Sequence, residues 1–358
     1  MNLKELSIRL GLSQTTVSRA LNGYPEVSEQ TRKRVQDAAR RFDYRPNPGA
    51  KSLATGRTMA IGHVIPVSGR HEIVNPIFAD FIAGAGEIYA KGGYDMRLTV
   101  VADDDEDRAY REIAARGSVD GIIVHGPRRD DPRVKLLAEI GLPFVVHGRT
   151  STHDEAINWV DVNNRRAFER ATAFLLDFGH RRIALVNGIE TMDFAQRRRE
   201  GYLRALEARG LEPDPALMVA DEMTETLGHR AARRMLRLAD PPTAFLVSSM
   251  ISGVGVRRAI EGEGLVLGRD VSVVIHDDDL SYMKNGEDEP IFTATRSSVR
   301  QAGRHCAELL LDIIATPGQD PRQVLLDAEL VLGRSTGPVP DSGHIRNARD
   351  VTEKKRFS

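Results

Sequence analysis

The apolar positions of this chain follow two rhythms. Over residues 2–42 they recur at helical spacing in three short stretches. Leu3, Leu6 and Leu10 share one face, and Gly11-Leu12 then demands a tight turn. Val17 and Leu21 form the inner face of a second stretch, and Val35, Ala38, Ala39 and Phe42 that of a third. Ser13 and Ser28 stand where a hydroxyl can take an orphan N–H of a starting helix, and Gly23 stands where one can stop. The outer face of the second helix reads Gln14, Thr15, Ser18, Arg19 and Asn22. Three short helices with a polar, arginine-bearing second helix fit a helix-turn-helix that reads a major groove.

From Thr58 the rhythm changes. Short apolar runs at 60–66, 96–101, 121–125, 144–147, 159–161, 183–186, near Met218, at 244–247 and at 271–276 predict strands. Amphipathic segments between them predict helices, including 105–116, 132–140, 164–178, 196–209, 226–238 and 251–262. Strands alternating with helices imply parallel sheets with right-handed crossovers. The pattern restarts after Trp159-Val160-Asp161, which predicts an α/β core of two doubly wound parallel-sheet subdomains facing a cleft. The tail, 338–358, is polar and charged and is expected to be disordered.

Residues 47–58 join the two parts. Asn47-Pro48 is an N-cap with proline at the first helical position, and Gly56 can end the short helix it starts. Two turns are marginal alone, so such a hinge helix needs a partner to order it. Leu53 beside Lys51 can wedge into a minor groove, and a plain flexible linker is the competing reading.

Charge sharpens the division. Of 358 residues, the first 58 hold eleven Lys/Arg against five Asp/Glu, a net of +6, and the rest hold 39 against 46, a net of −7. The phosphate-binding charge therefore sits on the small unit. The one cysteine, Cys306, excludes an internal disulfide, and no Cys/His spacing points to a metal. No cofactor is expected. The chain shows no membrane-length apolar run and no secretory leader, so a cytoplasmic protein is expected.

The run Gly11-Leu12-Ser13-Gln14-Thr15-Thr16-Val17-Ser18-Arg19-Ala20-Leu21-Asn22-Gly23, with Val27-Ser28-Glu29, Tyr44-Arg45-Pro46-Asn47 and Ala50-Lys51-Ser52-Leu53, resembles the lactose/galactose-repressor (LacI/GalR) family of bacterial transcription regulators. Asp161-Val162-Asn163-Asn164, Gly179-His180-Arg181-Arg182 and Arg198-Arg199-Glu200-Gly201-Tyr202 extend the resemblance into the core. It implies a head at 1–46, a hinge at 47–58 and a core at 59–337 like periplasmic sugar-binding proteins. Subdomain one is expected at 59–160 plus 294–322, and subdomain two at 161–293 plus 323–337, with three crossings between them.

Carried over residue by residue, Gln14 and Thr15 take base-reading positions, and Arg19 reaches a guanine edge or a phosphate. Thr16, Ser18, Asn22, Ser28, Thr31, Tyr44, Asn47 and Lys51 take DNA-positioning roles, and Leu53 the wedge. In the cleft, Phe78 resembles an aromatic that packs on a sugar face, and His125 and His147 sit at strand ends that often hold ligand. Arg198 matches the family's effector-binding arginine, and Asp277 its hydroxyl-binding aspartate. Many members carry Asn-Asp where this chain has Ser248-Ser249, so Ser249 is a ligand contact of shorter reach. The run Val-Ser-Ser-Met-Ile-Ser is similar to regulators of α-glucoside use.

The implied partners are a near-palindromic operator in double-stranded DNA, a second copy of the chain as a homodimer, and a mono- or disaccharide effector. The implied function is a repressor of carbohydrate-use genes released by its sugar, with a co-repressor-dependent regulator as the alternative. A sugar-binding transport protein would need no basic head. A sugar-modifying α/β enzyme would need a catalytic motif, and no Walker A, GxSxG or HExxH appears. The protein is therefore not expected to be an enzyme.

Overall fold

A computed structural model describes residues 1–21, 23–44, 56–66, 75–102, 105–150 and 156–340. The chain divides into two units, Met1–Met59 and Ala60–Ser358. The expected contacts Asn22, Asn47, Lys51 and Leu53, most of the expected hinge helix, and the tail from 341 lie outside the described residues.

The first unit holds α1 (Leu3–Leu10), α2 (Gln14–Leu21) and α3 (Glu29–Arg41). Asn2 and Glu5 form a reciprocal capping box at the start of α1. Gly11 turns the chain toward α2 with φ 64°, a conformation that costs residues with a Cβ. Ser13 Oγ accepts from the Thr16 N–H at 3.0 Å, and Ser28 Oγ from the Thr31 N–H at 3.3 Å. Leu6, Leu10, Val17, Val35, Ala38 and Ala39 are buried together, as their spacing predicts, and Ala20 and Val27 join them. So small a core needs its turns tied down. Arg34 donates to the Leu10 carbonyl at the end of α1 at 2.8 Å, and Arg32 to the Tyr24 carbonyl at 3.0 Å. Part of the head's basic charge is therefore structural.

The second unit holds two sheets, each of six strands among the described residues. The first contains β1 (Ala60–Pro66), β2 (Asp95–Val101), β3 (Gly121–His125), β4 (Phe144–His147), β5 (Trp159–Val162) and β11 (Gln323–Leu326), in the order β11-β5-β4-β3-β1-β2. The second contains β6 (Ile183–Asn187), β7 (Met218–Ala220), β8 (Ala244–Val247), β9 (Ser272–Asp277), β10 (Thr293–Arg296) and β12 (Glu329–Val331), in the order β12-β10-β9-β8-β6-β7. Among the described residues, every strand pair is parallel except β10 with β12. The intervening helices are α4 (Pro76–Gly92), α5 (Glu106–Ala115), α6 (Pro132–Ile140), α7 (Asn164–Asp177), α8 (Asp193–Glu207), α9 (Glu225–Leu236), α10 (Met250–Gly262) and α11 (Val299–Ala315).

The chain crosses between the sheets after β5, after β10 and after β11. Two of these crossings fall elsewhere than expected. Residues 294–296 belong to the second sheet, because β10 pairs with β9. Residues 323–326 belong to the first, because β11 pairs with β5 in the register Gln323↔Trp159 to Leu326↔Val162. Both are four-residue strands, and their composition carries no label for the sheet that will accept them. Helix α8 begins at Asp193, three residues before its expected start at 196, because Asp193 sits at an N-terminus where an acidic side chain is favoured.

Two core motifs turn out to be structural. A Cβ on Gly201 would lie 2.1 Å from the Arg165 carbonyl oxygen, so glycine is what lets α8 cross α7 closely. His180 is fully buried, with Nδ1 2.9 Å from Thr243 Oγ1 and Nε2 3.0 Å from Ser272 Oγ, and so ties the start of β6 to its neighbours.

Candidate functional sites

In the head, α2 presents Gln14, Thr15 and Arg19 to solvent. Ser18 is half-buried on the same helix. The Thr16 and Thr31 hydroxyls lie 2.8 and 2.9 Å from Ser13 Oγ and Ser28 Oγ, so each helix N-terminus carries a paired hydroxyl. Such ends favour anions such as backbone phosphates. Tyr44 is half-buried against the head's core, and burial raises its phenol pKa.

In the core, the C-terminal ends of the two sheets face each other. The loop after β3 meets the loop after β6. The Asp193 N–H donates to the Pro127 carbonyl at 3.0 Å, and Arg128 forms an antiparallel bridge with Met192. The loop after β9 meets α4, where Ser281 donates to Asp80 through its N–H at 2.7 Å and its hydroxyl at 2.6 Å.

Strand ends of the first sheet contribute rings. His125 and His147 end β3 and β4 and lie side by side, their centroids 6.1 Å apart. Phe78 meets His125 edge-on at 5.1 Å, and Phe81 lies 4.9 Å from His125 and 4.4 Å from His147. His63 on β1, which its apolar surroundings in sequence did not single out, lies nearly coplanar with His125, the ring centroids 5.2 Å apart. Its Nδ1 is 2.9 Å from His125 Nε2, and its Nε2 3.2 Å from the Tyr89 hydroxyl. Burial drives the His63 pKa down to about 3 and His147 to about 4, the latter against the opposing pull of Asp278. His125 is also lowered by burial and by the neighbouring imidazoles. These rings are neutral at physiological pH.

Strand and helix ends of the second sheet contribute ions and amides. Arg198 on α8 is buried and donates through Nε to Asn164 Oδ1 at 2.8 Å and through Nη1 to the Ser248 carbonyl at 2.6 Å. Its guanidinium lies 4.9 Å from the Phe194 ring centroid and 5.2 Å from that of Phe168. Burial lowers its pKa to about 10, while Asp278 and Asp161 hold the charge. Asn164 in turn donates to Asp161 at 3.2 Å, and Arg149 donates to Asp161 at 2.8 Å. Burial still raises the Asp161 pKa over those attractions.

Asp277 is buried, accepts from the Asp279 N–H at 2.9 Å and pairs with Arg296 at 3.2 Å. Its neighbour Asp278, absent from the sequence-based set, acts electrostatically on His147, Arg198 and His276 together. Ser249, an expected ligand contact, also has a structural task. It is buried as the N-cap of α10, and its hydroxyl accepts from the Ser252 N–H at 3.1 Å. Ser248 reaches Asn187 Oδ1 at 2.7 Å. The structure thus brings Phe78, His125 and His147 together on one wall and Arg198 and Asp277 on the other.

Comparison with known proteins settles the ancestry of this architecture. Residues 2–47 match the bacterial regulatory proteins of the lacI family, and residues 172–336 match the periplasmic binding protein-like domain. The chain is 43% identical over 348 residues to the HTH-type transcriptional regulator AglR of Rhizobium meliloti (strain 1021), covering 97% of both. It belongs to the LacI family of transcriptional regulators. The HTH-type transcriptional regulator RafR of Escherichia coli is 32% identical over 331 residues, covering 90% of this chain and 95% of RafR. A solved CelR–cellobiose complex superimposes with a TM-score of 0.70 at 29% identity, covering 94% of this chain and 99% of that one. The Lac repressor dimer bound to operator and an anti-inducer shares the fold, with a TM-score of 0.81 at 23% identity over 94% of this chain and 99% of that one. LacI-family members are regulators rather than enzymes. Among the described residues, no helix is long and apolar enough to cross a membrane, and no acidic, histidine or cysteine cluster is placed to hold a metal.

Proposed function

We propose that this protein is a cytoplasmic repressor of carbohydrate-use genes, without enzymatic activity, that leaves its operator when a mono- or disaccharide enters the cleft. The observation that carries this reading is the set of groups gathered where strand ends of the two sheets meet. A buried arginine, the carboxylates of Asp277 and Asp278, imidazoles and aromatic edges stand there, a set that can meet several hydroxyls of one sugar and the apolar face of its ring. The solved complex of CelR with cellobiose supports a disaccharide over an isolated hexose. Head residues Gln14, Thr15 and Arg19 read base edges, while Thr16, Ser18, Ser28, Thr31 and Tyr44 position the head on phosphates. A homodimer places two heads on a near-palindromic site.

A thermal-shift screen of the protein against mono- and disaccharides tests the cleft, because a ligand bound only by the folded state raises the melting temperature. Footprinting on the operator with the best sugar tests the sign. Release is the expected result; tighter operator binding by the sugar-loaded protein would make the sugar a co-repressor. Binding to duplex DNA should weaken steeply with salt. Tight, selective binding by a monomer would overturn the dimer.

A further inference from the structure

A buried line of polar side chains, Tyr89–His63–His125, runs from α4 through β1 to β3. Its polarity carries information. Tyr89 is 1% exposed, and among the described residues its hydroxyl meets a single partner, His63 Nε2 at 3.2 Å. A buried phenol proton without an acceptor is costly, so it goes to that nitrogen. A neutral imidazole has one donor and one acceptor. His63 Nε2 therefore accepts, and its proton sits on Nδ1, 2.9 Å from His125 Nε2. His125 Nε2 must then accept as well, which leaves its proton on Nδ1. The reverse order would make Tyr89 an acceptor and strand its own proton.

We propose that Tyr89 and His63 are positioning residues that fix His125 as its Nδ1–H tautomer, so that β3 ends in a hydrogen-bond donor at the cleft.

The ring is also fixed in place. Phe78 and Phe81 hold it edge-on, at 5.1 and 4.9 Å. The backbone beneath it is clamped by Arg133, which donates to the carbonyls of His125 at 3.0 Å and Gly126 at 3.3 Å. Arg133 is itself held by Asp131 at 2.6 Å and Glu106 at 3.3 Å. Among the described residues the His125 ring has no hydrogen-bond partner beyond His63. A ligand oxygen that only accepts, such as the ring or bridging oxygen of a glycoside, suits an Nδ1–H donor, whereas a hydroxyl would suit either tautomer. That consequence rests on the cleft being the effector site; the tautomer does not.

Long-range proton–nitrogen correlation spectra of the full-length protein, labelled with ¹⁵N-histidine and free of ligand at pH 7.5, read the tautomers directly. His63→Gln and His125→Gln assign the two signals. Both rings should show a single Nδ1–H pattern. Tyr89→Phe should convert both to a mixture of tautomers, while His180 and His276 on the second sheet keep their wild-type patterns. An Nε2–H or averaged His125 in the wild-type protein overturns the proposal, as do unchanged signals in folded Tyr89→Phe. If that variant does not fold, the wild-type spectrum alone decides. A failed sugar screen leaves this measurement untouched, so the two readings fail separately.

Discussion

On the first sheet, the polar groups gathered at strand ends are imidazoles kept neutral by burial, backed by phenyl and phenol rings. From the second come a guanidinium, carboxylates and amides, and a chain that starts at Arg198 runs through Asn164 to Asp161 on β5 and Arg149 after β4, back on the first sheet. Both walls place polar atoms where water is scarce, and each avoids the penalty by a different route. Neutral rings need only one donor–acceptor relation each, so a short relay satisfies them. Buried ions need counter-charges and several hydrogen bonds, so their network spans the crossing between the sheets. One wall thus offers directional single contacts, and the other multidentate ones.

The largest effect expected from breaking this contrast is at Arg198. Arg198→Ala should weaken effector binding by at least about a hundredfold, the loss of two charge-assisted hydrogen bonds. It should also lower core stability by about 3 kcal/mol, since Asp161 and Asp278 lose their buried counter-charge. Sugar titrations and urea unfolding measure the two, and operator affinity without sugar should remain. An unchanged sugar midpoint would remove Arg198 from the site.

A helix crossing comes next. Gly201→Ala would push a Cβ to 2.1 Å from the Arg165 carbonyl and separate the helices that carry Arg198 and Asn164. A loss of about 2 kcal/mol is expected, and the His63 and His125 signals should not move, since only the ionic wall is disturbed.

The neutral wall has its own signature in pH. A histidine harder to protonate when folded than when unfolded contributes stability above its unfolded pKa, and that stability falls as pH drops toward the folded value. For His63 and His147 the window runs from about 6.5 down to about 3 and about 4. Each ring should contribute up to about 1.4 kcal/mol per pH unit within it. Denaturant unfolding between pH 7 and 4.5 should show this decline, and His63→Gln should flatten it by one proton. An unaltered slope in that variant would mean that His63 is charged in the folded state.

The smallest effect expected is at Ser249. Ser249→Ala removes the cap of α10 and should cost about 1 kcal/mol with the sugar midpoint unmoved. A weakened sugar midpoint in that variant would place Ser249 among the ligand contacts.

Much of this was legible in order along the chain. The head's helices, their serine caps and the alternation of strands and helices are local patterns, and they appear where the spacing places them. The positions of His125 and His147 at strand ends were equally readable, because a strand's end is a local property. The missing pieces are relational. His63 sits inside an apolar strand and looks like a tolerated core histidine until β3 places His125 beside it. Asp278 is one of three adjacent aspartates, and nothing local distinguishes it from Asp277. Ser249 precedes a helix, and a cap competes for the same hydroxyl as a ligand.

Residue order alone sets the division of labour: a basic three-helix unit, a βα body of two series, and a set of chemistry-bearing residues at the ends of its strands. These follow from periodicity, capping and charge, which act over a few residues. Which sheet accepts β10 and β11, which imidazole meets which, and which carboxylate answers the buried arginine are settled only when the chain folds. Those outcomes depend on strand partners and side chains distant in the chain. Hydrogen-bond direction and electrostatic pairing exist only once those distant groups are within a few ångströms of one another.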